Sequence, residues 1–345
     1  MSKPKLLIIG SVPHNNKPET FGGTTILMQN LVDFLKSNKS RKYKLIQANK
    51  FLKKGSSLTN FFHVLLNVII KLPFYDILMV NVSINGAFII APILFLYSKL
   101  LRKKFVFRMF GGNLIELLNT QNKILVRIFN YTVMNSDLFF VETIKIKKIL
   151  STVNTNLAWF PNSRKLRTIP VNNYVYNKRF VFISHVKEEK GITEIIKAFN
   201  NLDSSYIVDI YGPEKDNVLQ SMKLPKNLNY RGVLNPENVI ETINKYDVLL
   251  LPTFWEGEGY PGIIIEAFSQ GKPVISTRWN SIPEIVNDKL GFLIEPKNHI
   301  ELKNAITSFN KNNYQDYSKN ALLQFNKFNS EIVNIKVVKD IYNLK

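Results

Sequence analysis

The chain has no cysteine and only four histidines, which excludes several kinds of functional site. Without a thiol among its 345 residues, it can form neither a disulfide bond nor a thiolate-bound metal centre. The histidines lie too far apart in the sequence to indicate a metal cluster: His14, His63, His185 and His299. The absence of cysteine predicts a reducing compartment, the cytoplasm.

Long apolar runs are also missing. A membrane-spanning helix needs about 20 apolar residues in succession, and no run in this chain reaches that length. The most apolar part, residues 58–101, predicts helices over 61–70 and 88–101 with a buried strand over 77–82 between them. Pro92 interrupts the second helix. We therefore expect no transmembrane segment.

Acidic residues are scarce in the first half of the chain. Residues 1–165 contain 24 Lys and Arg but only 6 Asp and Glu, whereas the remainder contains 22 and 20. The formal net charge of +20 therefore belongs almost entirely to the N-terminal half. Such a field attracts anionic partners, whether lipid headgroups, a lipid-linked diphosphate or nucleic acid. A solubilising lysine-rich surface is the alternative.

Basic residues also follow the second predicted apolar helix, namely Lys99, Arg102, Lys103 and Lys104. Apolar residues beside basic ones are typical of an anchor that lies in the membrane interface. A core helix followed by a solvated basic turn produces the same pattern. Both interpretations stay open at the level of the sequence.

Residues 247–286 are the most informative part of the chain. An apolar run over 248–251 predicts a buried strand, a turn rich in glycine and proline covers 257–262, and an apolar helix follows over 263–268. A second strand is predicted over 274–277. This order of elements places a helix N-terminus at the carboxyl edge of a parallel sheet.

Two carboxylates flank that helix start, Glu258 on the turn and Glu266 in the helix. The free N–H groups and the partial positive charge of a helix N-terminus can hold a phosphate. A carboxylate on the same rim can accept hydrogen bonds from sugar or ribose hydroxyls. The combination suits a nucleotide sugar, although acids that merely complement a helix dipole would look the same.

The stretch resembles the Glu-x7-Glu signature of family 4 retaining glycosyltransferases. The matching residues, in order, are Pro252-Thr253, Glu258-Gly259-Tyr260-Pro261-Gly262, Glu266-Ala267, Gly271-Lys272-Pro273-Val274 and Pro283-Glu284-Ile285-Val286. The resemblance implies the α/β GT-B fold, in which two doubly wound, Rossmann-like domains face each other across an interdomain cleft. We expect an acceptor-binding domain over 1–165, a nucleotide-sugar domain over 166–328, and a C-terminal helix over 329–345 that packs back towards the first domain.

The same resemblance assigns roles to further residues. Lys190-Gly191 matches a family loop that neutralises the donor diphosphate, but Ser184-His185 replaces its Gly-Arg pair. Lys190 is then the main counter-charge, with His185 as a second donor to phosphate. Read by itself, Lys190 is equally compatible with a solvated lysine before a helix. Gly22-Gly23 matches a loop that closes over the donor.

The resemblance therefore implies Glu258, Lys190 and His185 as catalytic residues. Glu258 would contact the donor sugar, and Glu266 the ribose. The implied donor-binding residues are Gly22, Gly23, Lys190, Gly259, Tyr260, Pro261, Gly262, Ile263 and Glu266. Arg108 and Asn113 are candidate acceptor contacts, because they flank the end of a strand predicted over 105–108. Many family members have a histidine in that loop, and this chain has none there.

The expected activity is transfer of a hexose from a nucleoside-diphosphate sugar, with UDP favoured and GDP possible, to a glycan or lipid-linked acceptor, with retention. No cofactor and no metal are expected, since no Asp-x-Asp motif occurs. We further expect a role in bacterial surface polysaccharide biosynthesis, peripheral contact of the basic half with anionic lipid at the inner face of the cytoplasmic membrane, and no nucleic-acid partner. The alternatives are a sugar-nucleotide epimerase of the same fold and a basic membrane- or nucleic-acid-binding protein.

Overall fold

The computed structural model describes residues 3–14, 22–38, 42–49, 57–82, 84–167, 175–215 and 217–344. The chain divides into two compact units. Unit 1 consists of Met1–Asn162 together with Ser330–Lys345, and unit 2 consists of Ser163–Asn329.

Unit 1 contains a parallel sheet of six strands among the described residues. The strands are β1 (Leu6–Gly10), β2 (Tyr43–Gln47), β3 (Ile77–Val82), β4 (Lys104–Met109), β5 (Leu138–Val141) and β6 (Leu157–Trp159). Their order across the sheet is β2-β1-β3-β4-β5-β6. Strands β1 and β3 are buried throughout and almost entirely apolar, because helices cover both faces of the sheet and leave no side of it in water.

The helices of unit 1 follow the strands along the chain. They are α1 (Gly23–Ser37), α2 (Ser57–Lys71), α3 (Ile84–Phe88), α4 (Ile90–Leu100), α5 (Leu114–Thr120), α6 (Lys123–Tyr131) and α7 (Ile144–Leu150). The sequence predicted one helix over 88–101 interrupted by Pro92. The structure instead begins α4 at Ile90, so Pro92 lies in its first turn, where a missing backbone N–H costs no hydrogen bond.

Unit 2 has a second parallel six-stranded sheet within the described residues. Its strands are β7 (Arg179–Ile183), β8 (Ile207–Tyr211), β9 (Leu228–Tyr230), β10 (Val248–Leu251), β11 (Val274–Thr277) and β12 (Gly291–Ile294). Their order is β12-β11-β10-β7-β8-β9. The helices of unit 2 are α8 (Ile192–Phe199), α9 (Val239–Asn244), α10 (Gly262–Ser269), α11 (His299–Ser308) and α12 (Tyr314–Phe325).

The last helix, α13 (Ser330–Tyr342), belongs to unit 1. Val337 and Ile341 are fully buried in the core on one face of the first sheet, beside Leu27 and Leu31 of α1. Asn334 donates a hydrogen bond to the Asn30 carbonyl at 3.3 Å. The chain thus returns to unit 1 after it has completed unit 2.

The boundaries between the units lie at 162/163 and 329/330, whereas the sequence placed them at 165/166 and 328/329. Arg164 explains the first difference. Its backbone N–H donates to the Phe328 carbonyl at 2.9 Å and its side chain contacts Glu266, so it packs as a part of unit 2. Residues 168–174 of the polar segment that follows lie outside the described residues.

The strand order of unit 2 fixes where its ligand site can lie. From β7 the chain adds β8 and β9 on one side, and β10, β11 and β12 on the other. The direction of winding therefore reverses between β7 and β10, which are neighbours in the sheet. Open α/β sheets bind ligands at such a switch point, outside the carboxyl ends of the strands. The loops after β7 and β10 are the ones placed there.

The predicted fold class is confirmed: the chain consists of two doubly wound α/β units, each with a parallel sheet. Within the described residues, no helix combines the length and the apolar character that crossing a membrane requires.

The buried face of α13 generates a test of its place in unit 1. Ile341→Ala should lower the free energy of unfolding by about 2–5 kcal/mol, because it leaves a cavity in a closed core. Ile335→Ala is the matched control on the same helix, since this side chain is 54% exposed. Urea unfolding followed by circular dichroism measures both. Equal effects of the two substitutions would show that α13 is not packed as described.

Candidate active site in unit 2

The loops after β7 and β10 touch through a glycine. Gly191 follows a 3-10 turn, Glu188–Lys190, and has a φ of +80°, in the left-handed region. A Cβ atom on Gly191 would lie 2.2 Å from the Pro252 carbonyl oxygen. Only glycine allows this approach, and the approach brings Lys190 to the loop that carries Glu258.

Lys190 and Glu258 form a buried ion pair. The Lys190 ammonium lies 2.5 Å from Glu258 Oε2, and the two residues are 7% and 6% exposed. The Thr253 hydroxyl donates to the same carboxylate oxygen at 2.9 Å. The indole ring of Trp255 lies 4.3 Å from the Lys190 ammonium. Two charges removed from water are tolerated only with such close partners, so each residue holds the other in place.

Glu266 has a cation of its own. Arg164 Nε lies 2.8 Å from Glu266 Oε1, and Arg164 Nη1 donates to the Ser163 carbonyl at 3.0 Å. The guanidinium rests on the start of α10, where a Cβ on Gly262 would lie 1.7 Å from Arg164 Nη2. The Glu266 side chain remains 21% exposed, which leaves its carboxylate within reach of a ligand.

Arg164 was not among the residues predicted from the sequence. Its partner lies 102 positions further along the chain, and nothing in the local pattern connects the two. A basic residue directly after Pro161-Asn162-Ser163 was the available signal, and a solvated arginine would look the same.

The glycine-rich turn is anchored by Tyr260. Its ring packs edge-on against Phe328 at 5.9 Å and its hydroxyl donates to the Glu284 carboxylate. The Tyr260 side chain therefore supports the loop, while the first backbone N–H groups of α10, at Gly262 and Ile263, have no acceptor within the helix. Gly259 and Pro261 are buried next to them. The predicted donor loop can therefore contact a ligand through its backbone N–H groups.

His185 lies on the loop after β7 and interacts electrostatically with three lysines. The pKa of its imidazole is lowered below the ordinary value, first by partial burial and then by Lys215, Lys190 and Lys187. Two of these lysines are themselves paired with carboxylates, Lys190 with Glu258 and Lys187 with Glu189. The structure thus brings His185 and Lys190, both predicted as diphosphate contacts, close enough to interact electrostatically.

Gly22 and Gly23 begin α1 in unit 1. Gly22 is the residue before the helix, and its N–H donates to the Thr25 hydroxyl at 3.0 Å. No atom lies within 4 Å of the position that a Cβ would take on either glycine. Packing within the described residues therefore gives no reason for these glycines. Their role as donor contacts stays a prediction, and Phe21 lies outside the described residues.

Arg108 does not present its side chain to solvent, and its role as an acceptor contact stays a prediction. It is 1% exposed, and its guanidinium stacks 3.4 Å from the Phe160 ring and 4.6 Å from the Phe110 ring. Burial lowers its pKa to about 9, against the opposing effect of Glu142. Side chains alternate along β4, so Arg108 faces the same core as Val106. Asn113, half-buried before α5, stays a candidate.

Metal ligands are not gathered at this site. Among the residues that the structure describes, no group of three or more His, Asp or Glu side chains is placed to hold an ion.

The buried pair can be tested by its effect on stability. Lys190→Met should lower the free energy of unfolding by about 3–5 kcal/mol, because it leaves the Glu258 carboxylate buried without a cation. The double variant Lys190→Met/Glu258→Gln should lose clearly less. Lys187→Met is the control, since its partner Glu189 is half exposed and such pairs contribute little. Urea unfolding measures all three, and equal losses for the single and double variants would contradict the pairing.

Known proteins are similar to this chain in the residues of unit 2. Residues 170–324 match the family model described as glycosyl transferases group 1. The putative teichuronic acid biosynthesis glycosyltransferase TuaC of Bacillus subtilis is 29% identical over 133 residues, which is 37% of this chain and 32% of that protein. The matches to the curated relatives at 28–29% identity span about a third of the relatives' own lengths.

Solved structures match over nearly the whole chain. Sucrose-phosphate synthase from Thermosynechococcus elongatus has a TM-score of 0.73 at 14% identity and covers 98% of both chains. The Anabaena protein Alr3699/HepE in complex with UDP has a TM-score of 0.71 at 14% identity, over 97% of this chain and 98% of that one. At this identity the likeness establishes the fold. The chain has the GT-B fold, and its residues 170–324 are similar to the glycosyl transferases group 1.

Proposed function

We propose that this protein is a retaining glycosyltransferase of the family 4 type, with the Glu-x7-Glu motif at Glu258 and Glu266. It transfers a hexose from a nucleoside-diphosphate sugar to a hydroxyl of a glycan or lipid-linked acceptor. The observation that carries the proposal is the pairing of both glutamates with enclosed cations, Lys190 and Arg164, beside the start of α10. UDP is the favoured nucleotide and GDP the second choice, and the likeness to a structure solved with UDP supports this order.

The donor diphosphate binds where positive charge is gathered. Lys190 and the neighbouring Lys187 and Lys215 supply it from the loop after β7 and its surroundings, and His185 gains its charge when the diphosphate binds. The diphosphate competes with Glu258 for the Lys190 ammonium, since both anions need the same cation. Once Lys190 contacts phosphate, the Glu258 carboxylate is released to accept hydrogen bonds from hydroxyls of the donor sugar. The exposed N–H groups at the start of α10 add to the binding of phosphate.

Glu266 accepts hydrogen bonds from the ribose hydroxyls. Its Oε1 is oriented by Arg164 Nε at 2.8 Å, which fixes the plane of the carboxylate. Arg164 is thus a positioning residue. The hydrogen bonds to a charged carboxylate are worth about 1.5–3 kcal/mol, enough to decide whether a nucleotide is held.

In the chemical step, the bond between the anomeric carbon and the diphosphate oxygen breaks while a bond from the acceptor oxygen forms on the same face. The departing diphosphate oxygen takes the proton of the acceptor hydroxyl. Lys190, with the N–H groups at the start of α10, stabilises the negative charge that grows on the leaving group. A double displacement would need a carboxylate nucleophile at the anomeric carbon, and we assign none.

The cations and the helix end take the place of a metal in this scheme, so we propose a metal-independent reaction without a cofactor. Location at the cytoplasmic side of a bacterial membrane and a role in surface polysaccharide biosynthesis are part of the same proposal. They are supported by the basic N-terminal half, with 24 basic and 6 acidic residues, and by the relative named for teichuronic acid biosynthesis. Arg108 and Asn113 are the proposed acceptor contacts.

Two alternatives predict different results in the assays. An epimerase of the same fold would convert a nucleotide sugar without an acceptor. A basic membrane- or nucleic-acid-binding protein would bind no nucleotide sugar at all, and it would leave the paired glutamates of unit 2 unexplained.

The first test is donor binding. A panel of UDP-, GDP- and dTDP-sugars in EDTA should raise the melting temperature for one nucleotide class, with UDP expected. Glu266→Ala should weaken the binding of that ligand by about tenfold or more, because it removes a charged acceptor of hydrogen bonds. Titration calorimetry gives the affinities.

Glu256→Ala is the matched control, since this exposed carboxylate lies on the same loop. The affinity of the Glu256→Ala variant for the nucleotide sugar should equal that of the wild type. Absence of binding across the panel, with the protein folded, would overturn the assignment of donor and reaction alike. Conversion of the bound sugar in the absence of acceptor would favour the epimerase.

The second test concerns His185. A bound diphosphate favours the imidazolium and raises a pKa that is lowered in the free protein, so the complex takes up a proton. The affinity for UDP-glucose should therefore increase as the pH falls from about 8 to about 5.5. His185→Asn should flatten this profile. The diphosphate diester itself does not titrate in this range, so a wild-type profile as flat as that of the variant would remove His185 from the phosphate site.

A further inference from the structure

Helix α2 is apolar on two opposite sides. Val64 and Val68 are buried in the core of unit 1. Phe62, Leu66 and Ile70 follow one another at intervals of four residues and are between 51% and 65% exposed. A surface helix of a globular protein normally carries polar residues on its outer side, so the outer side of α2 is exceptional.

Helix α4 repeats this arrangement. Leu94 is buried in the same core, while Ile89, Ile93, Leu96 and Leu100 form an exposed stripe at helical spacing along the outer side. Leu100 is 78% exposed. Large apolar side chains exposed in two regular rows forgo a large amount of favourable burial unless another surface covers them.

The two stripes belong to one surface. Both helices pack on the same side of the sheet of unit 1, and the Tyr97 hydroxyl on α4 donates to the Ile69 carbonyl on α2 at 3.0 Å. We call the exposed apolar residues of α2 and α4 the apolar helical face. Phe74, in the turn that follows α2, extends it and is 73% exposed.

Positive charge borders this face. Lys71 ends α2, and α4 leads into Lys99, Arg102, Lys103 and Lys104. Asp137 pairs with two of these cations, at 2.6 Å with Lys99 and 3.4 Å with Lys104. With five basic residues against this one carboxylate, the border carries a net positive charge.

An anionic bilayer fits both properties. Apolar side chains on one side of a helix enter the boundary between headgroups and acyl chains, while flanking lysines and arginines bind anionic headgroups. At about 1.5 Å per residue, α2 with its 15 residues is too short to cross the hydrocarbon core, so any contact with a membrane would place it in the interface. A symmetric contact with a second copy would instead bring the same basic border against itself.

We propose that the apolar helical face docks unit 1 on the surface of a membrane rich in anionic lipid, with α2 and α4 in the plane of the interface. The docking is a property of unit 1 and does not depend on the activity proposed for unit 2. It is nevertheless consistent with a lipid-linked acceptor.

Vesicle sedimentation of the full chain tests the proposal. Vesicles of phosphatidylcholine alone and of phosphatidylcholine with phosphatidylglycerol are compared at low and high salt. Wild type should bind the mixed vesicles. Leu66→Gln/Leu96→Gln should lower the partition coefficient by about tenfold or more at both salt concentrations, since it removes apolar contact without changing charge. Arg102→Gln/Lys103→Gln should lower it at low salt only.

Ile300→Gln/Leu323→Gln is the matched control, because these side chains are 62% and 66% exposed but lie in unit 2. It should bind vesicles as the wild type does. Melting temperature and UDP-sugar affinity, measured on every variant, separate loss of docking from loss of folding or of donor binding.

Three outcomes would overturn the proposal. The first is absence of wild-type binding to the mixed vesicles, and the second is wild-type binding by Leu66→Gln/Leu96→Gln. The third is that the wild type is a dimer in the absence of lipid, whereas Leu66→Gln/Leu96→Gln is a monomer. That result would show that the apolar helical face mediates self-association.

Discussion

Two carboxylates in unit 2 are held by cations from distant parts of the chain, and the geometry of the candidate site depends on these pairs. Glu258 is enclosed with Lys190, and Glu266 is oriented by Arg164. A buried charge without a partner is strongly destabilising, so each residue of a pair requires the presence of the other, although the two are distant in sequence. In the proposed reaction, an incoming anion and the resident carboxylate would compete for the same cation.

The parallel sheet makes these pairs possible. Reversal of the winding between β7 and β10 places two loops side by side at the carboxyl edge, one with Lys190 and one with Glu258. Gly191, at a positive φ, removes the side chain that would hold the loops apart. The strands themselves contribute no functional side chain. They supply a rigid frame from which short loops project, which is why one fold can serve many donors and acceptors.

Much of this arrangement could be predicted from the sequence, and the failures have physical causes. The strands at 248–251 and 274–277 and the helix between them are strongly apolar and were placed correctly. Glu258 and Glu266 were found through the spacing of one local signature. Arg164 was missed because the residue that explains it is remote in sequence, and local periodicity carries no information about such pairs. Arg108 was located at the correct strand end, but the side to which it points depends on the register of β4 in the sheet.

Arg164 also lies where the chain passes into and out of unit 2. Its backbone N–H donates to the Phe328 carbonyl, and it forms an isolated bridge with Asn329, while its side chain orients Glu266. Tyr260 of the glycine-rich turn contacts the same segment through the Phe328 ring. The glycine-rich turn and Glu266 are therefore both connected to the segments where the chain enters and leaves unit 2. A substitution at Arg164 would disturb the carboxylate of Glu266 and these terminal segments of unit 2 together.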